Sequence, residues 1–256
     1  MYLRALLAVL VLGCSSPAHT TSKSKPSGTG GAPNHIFDAG NTTTCPAWPQ
    51  DKLFPYVGPF FYGPDQGPCT NTETDRSSTG PDKSFTLTYT YDDSGRPVKA
   101  ATPTDMQSGI HLIDYTYVDG QLQSNKDFAG GLQSNTTYRY GTDTVGYTTI
   151  DAQNIATNLD YTLDAQGYPQ AISYSRIVNG QLTIPTDIPT HFEFEYANCR
   201  IQRRVAYLND FTEVPASNAQ FTYDDVGHLI AIDSTTTNFT FVYACWAADA
   251  STTDGG

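Results

Sequence analysis

Residues 221–232 read FTYDDVGHLIAI: two arms of alternating residues, Phe221-Thr-Tyr223 and Leu229-Ile-Ala-Ile232, around Asp224-Asp225-Val226-Gly227. An Asp directly after a strand accepts bonds from backbone N–H groups two residues on, and a Gly supplies positive φ where the chain returns. The stretch therefore predicts a β-hairpin turning on Asp224 and Gly227. The same chemistry recurs at Tyr91-Asp92-Asp93-Ser94-Gly95 and at Leu163-Asp164-Ala165-Gln166-Gly167. Val118-Asp119-Gly120 and Val178-Asn179-Gly180 are the shorter Asp-Gly and Asn-Gly hairpin signals.

The arms leading into these turns alternate strictly. Phe85, Leu87, Tyr89 and Tyr91 oppose Ser84, Thr86, Thr88 and Thr90; Leu159, Tyr161 and Leu163 oppose Asp160 and Thr162. Ile113 to Tyr117, Phe192 to Tyr196 and Phe239 to Tyr243 follow suit. A period of two predicts strands with one buried face. The last aromatic or Leu before each turn falls at 91, 117, 140, 163, 196, 223 and 243. This spacing predicts about seven stacked hairpin units, each burying its apolar face on its neighbours.

Tyr91-Asp92…Gly95-Arg96 and Tyr223-Asp224…Gly227-His228-Leu229 resemble the YD, or RHS, repeats of bacterial surface and toxin-delivery proteins. The resemblance covers roughly residues 84–246 and is good in three units; those marked by 140, 196 and 243 lack the Asp and Gly. It implies an all-β fold of consecutive antiparallel hairpins in a curved or spiralling open sheet. Seven units are too few to enclose a further domain, so no toxin cargo is expected.

Before the repeats the chain changes character three times. MYLRALLAVLVLGC, residues 1–14, has a positive Arg4 and an apolar run too short to span a bilayer, and reads as an export signal over 1–13. Val11-Leu12-Gly13-Cys14 resembles a bacterial lipobox, which implies an acylated Cys14 in the lipid bilayer and, with Ser15 following, a lipid-anchored place at the outer membrane, periplasmic or surface-facing. Residues 14–44 are rich in Ser, Thr, Gly and Pro and read as a disordered tether. Residues 45–83, with Trp48, Phe54, Tyr56, Phe60, Phe61 and Tyr62 among prolines, read as an aromatic cap over the sheet of 84–246; 247–256 is a tail. Cys45, Cys69, Cys199 and Cys245 make an even set in an exported chain and are expected in disulfides, as the local pairs Cys45–Cys69 and Cys199–Cys245.

The 256 residues carry a net charge of −12 with only 16% charged residues, which argues against nucleic acid as a partner. Neither G-x-S-x-G nor H-E-x-x-H occurs. His191, Glu193 and Glu195 share a strand face and read as solvated, and no C-x-x-C supports a metal site. No cofactor is expected; calcium at the acidic turns is the alternative. The sequence thus predicts a non-enzymatic scaffold presenting a Thr- and acid-rich sheet face to an envelope protein. A glycan-binding module, which would need its tyrosines exposed, is second, and a hydrolase third.

Overall fold

The computed structural model describes residues 45, 67–76, 80–102, 112–129 and 131–244. Among them are fifteen strands: β1 (Thr70–Asp75), β2 (Lys83–Tyr91), β3 (Pro97–Ala101), β4 (Leu112–Val118), β5 (Gln121–Phe128), β6 (Leu132–Tyr140), β7 (Thr144–Asp151), β8 (Ala156–Leu163), β9 (Pro169–Val178), β10 (Gln181–Thr183), β11 (His191–Ala197), β12 (Arg200–Tyr207), β13 (Ala219–Tyr223), β14 (Leu229–Ser234) and β15 (Thr237–Val242). A 3-10 turn occupies Pro215–Ser217.

The sheet closes. Each strand from β1 to β9 pairs antiparallel with the next, β9 continues to β11, β11 to β15 follow in order, and β15 returns to β1. Setting aside β10, which pairs only with the far end of β9, fourteen strands form the ring. Six register pairs make the closing seam, from Thr70↔Val242 to Asp75↔Thr237. The chain is all-β, but the open, spiralling YD/RHS-type sheet is overturned, and with it the scaffold presenting an open repeat face.

Two physical features close it. Six of the seven units are hairpins, β2–β3, β4–β5, β6–β7, β8–β9, β11–β12 and β13–β14; the seventh, β15, takes its second arm from the start of the sheet, β1. Five of the six hairpins also carry a register shift immediately before the marker residue, at Thr90/Tyr91, Thr116/Tyr117, Thr162/Leu163, Glu195/Tyr196 and Thr222/Tyr223. A bulge bends its strand and increases twist, and bulges repeated on one rim curl a sheet onto itself.

The apolar face points inward. Leu87, Ile113, Tyr161, Ile172, Phe192, Ile201 and Leu229 are all buried, on strands all round the ring. A barrel wall can shield side chains from water only on its inner side. The outer wall is polar: Lys99, Asp114 and Lys126 face one another across β3, β4 and β5, all exposed, and Arg139 bonds Asp160 at 2.8 Å.

Cys45 bonds Cys199, 154 residues away, so neither local pair predicted from the sequence forms. The bond ties residue 45 to the β11–β12 turn at the bulged rim. Cys69 is also in a disulfide. Cys14, Cys245, the tether, the tail and most of the cap lie outside the described residues, although β1 falls within the stretch assigned to the cap.

Candidate functional site

The acidic turn residues are occupied by the turns themselves. Asp92 Oδ1 accepts from the N–H groups of Ser94 and Arg96, both at 2.9 Å, while Oδ2 accepts from Arg96 Nε at 2.8 Å. Asp164 Oδ1 accepts from Gln166 and Tyr168, and Asp224 Oδ1 from Val226, Gly227 and His228. Burial pulls the carboxyls of Asp92 and Asp224 up, but these donors outweigh it and hold both below the usual carboxylate range. Gly95, Gly167 and Gly227 supply φ of 74°, 85° and 102°. Asp119 and Gly120 turn the β4–β5 hairpin with φ of 51° and 81°. A further copy at Asp151 was missed because Asn154, φ 60°, replaces the glycine. Asn tolerates that region better than most residues, which is the signal that could have found it.

The marker tyrosines join one unit to the next. Tyr117, Tyr140, Tyr196 and Tyr243 donate their hydroxyls to the carbonyls of Pro97, Leu122, Pro169 and Leu229; the Tyr223 hydroxyl bonds the backbone of Ile201. Each acceptor is the register partner of the preceding marker. The first residue after a turn then packs on the next marker: Arg96 lies over Tyr117, Arg200 over Tyr223, Tyr168 meets Tyr196 edge-on, and His228 stacks on Tyr243 at 4.4 Å. The glycan reading loses its platform here, since Tyr161 is buried and Tyr91, Tyr117 and Tyr223 are half-buried with bonded hydroxyls.

A different group of residues forms the candidate site. At the end of the barrel away from the bulged rim, the inward positions of β5 to β9 turn polar. Asn125, Thr136, Thr149, Thr157 and Arg176 stand in register across five strands. Asp127, Ser134 and Asp151 form a second row beside them. The first four of the long row, with Asp127 and Ser134, are all buried. The Thr136 and Thr149 hydroxyls bond at 2.9 Å, and Tyr138 donates to Asn125 Oδ1 at 2.9 Å. The Ser134 hydroxyl has no partner among the described residues. Such a field offers hydroxyl, amide and carboxylate groups on one wall, next to an aromatic interior.

Elsewhere, His191 Nε2 and Glu193 Oε1 lie 3.2 Å apart, and Glu195 bonds Arg203. Among the described residues no three His, Cys, Asp or Glu side chains converge to hold a metal.

No family model matches the sequence, and neither does any curated protein, so the YD/RHS resemblance has no support beyond its motif. Solved structures do match in shape, among them two porin-like proteins. One is a porin-like protein from Bacteroides vulgatus, 11% identical, covering 70% of this chain and 99% of that one with a TM-score of 0.43. The other is a porin-like protein from Bacteroides uniformis, 16% identical, covering 68% and 60% with a TM-score of 0.29. Likeness at this level carries no conclusion about what this chain does.

Proposed function

We propose that this chain is an outer-membrane-associated protein whose barrel stands in water and binds a small polar molecule at the β5–β9 end of its interior, without catalysing a reaction. The export leader and the disulfides support a place in the envelope. The polar outer wall supports a barrel beside the bilayer and not through it. A spanning barrel needs an apolar band about 25 Å tall, and a Lys or Arg facing lipid at mid-depth costs about 2–4 kcal/mol.

The observation that carries the binding reading is the field of Asn125, Thr136, Thr149, Thr157 and Arg176. Buried polar groups are tolerated only when bonded, and a wall that merely had to fold would be more stable with apolar residues of the same size. Thermal unfolding of the full-length protein against a panel of polar metabolites tests this. At least one compound should raise the melting temperature of the wild type. A Thr136→Val/Thr149→Val protein should melt no lower than wild type and lose that response. An unresponsive wild type, or a response surviving the double substitution, refutes the reading.

A further inference from the structure

Arg204 points into the core. This β12 residue is 6% exposed and stands opposite Phe194 on β11 and Ala219 on β13. Its guanidinium lies 4.9 Å from the centre of the Phe192 ring. One Nη donates to the Ser217 carbonyl at 3.3 Å, and Nε has no partner among the described residues. Among the described residues no carboxylate pairs with it. Its neighbour Arg203, facing outward, shows the ordinary arrangement, with Glu195 at 3.2 Å and Glu213 at 3.7 Å.

A buried cation is normally matched by an anion, because desolvating it is otherwise uncompensated. Phe192 offers a cation–π contact, which offsets only part of that. Burial pulls the guanidinium down to about 10, leaving it charged at neutral pH. Small residues also lie nearby: Ala219 is its partner on β13, Ala206 follows two residues along β12, and Ser234 stands opposite Ala219. The β12–β13 seam has two register pairs, fewer than any other seam of the ring, and Arg204↔Ala219 is one of them.

We propose that Arg204 anchors an oxyanion site inside the barrel, its Nε edge taking the carboxylate or phosphate group of a small molecule. A guanidinium edge suits both groups because its parallel N–H donors match their oxygens. The site stands on β12 and its neighbours and does not depend on the polar field of β5–β9.

The test uses the full-length protein at constant ionic strength, with chloride replaced stepwise by acetate or by inorganic phosphate. The wild-type melting temperature should climb with the logarithm of one anion's concentration. The anion giving the larger shift distinguishes a carboxylate from a phosphate ligand. Arg203→Met should keep the shift. Arg204→Met should abolish it while melting no lower than wild type in chloride, since an unpaired buried charge has been replaced by an apolar chain. A shift retained in Arg204→Met, or absent from the wild type, overturns the proposal. If Arg204→Met does not fold, saturation transfer from the wild-type protein to the methyl protons of acetate decides. Transfer that phosphate displaces supports the site, and no transfer overturns it.

Discussion

A marker tyrosine has two contacts that alternation alone does not reveal. Tyr117 turns its ring inward with the rest of its strand, and its hydroxyl reaches the Pro97 carbonyl at 3.0 Å while Arg96 covers its face. Tyr117→Phe keeps the ring and strands the carbonyl, so the folded state should lose about 1 kcal/mol in urea unfolding. An unchanged midpoint would show that water serves Pro97 equally well. That Tyr117 is inward was legible from its period-two neighbours. Its acceptor was not, because it lies a whole hairpin away in sequence and at a bulge that no residue type announces. The polar field was hidden for a related reason. Thr136 and Thr149 look like any outward strand threonine until the register fixes which face they occupy.

Hairpins are the elements of this barrel, and phenols are the joints between them. In the folded protein burial favours the neutral hydroxyl, pushing Tyr140 up to about 12 and Tyr117 and Tyr223 further. A group raised in this sense contributes stability that is complete below its unfolded value, about 10 for Tyr, and lost as pH climbs through the folded values. The barrel should therefore unfold cooperatively above pH about 10, with tyrosinate absorbance and loss of β-sheet circular dichroism rising together. Most tyrosines ionising near pH 10 with the sheet signal intact would contradict the joint. The turns that carry these joints could be read from sequence wherever Asp and Gly appear together. Those at Asn154 and at Asn198-Cys199, φ 52° and 61°, were not, since neither contains the expected glycine.

At the scale of the molecule, the missing piece was one strand. β1 reads TNTETD, and its inward residues are Asn71, Glu73 and Asp75, opposite Leu87, Phe85 and Lys83 on β2. No apolar alternation marks it, so the first repeat seemed to begin the sheet at residue 84 and β1 was assigned to the cap. Pairing β1 with β15 removes both exposed edges at once, which an open sheet of this size would have had to protect. The polarity that follows, apolar within and charged without, is what the proposal of a barrel standing in water rests on. It also explains why the interior can hold a few buried polar groups and Arg204 as distinct features against an aromatic background. Everything rests on closure, and nuclear Overhauser contacts between β1 and β15 in the full-length protein measure it most directly. The account predicts backbone contacts between Asn71 and Phe241 and between Glu73 and Phe239, with the amides of both strands protected from exchange. Their absence, with β1 exchanging freely as an edge, would contradict it.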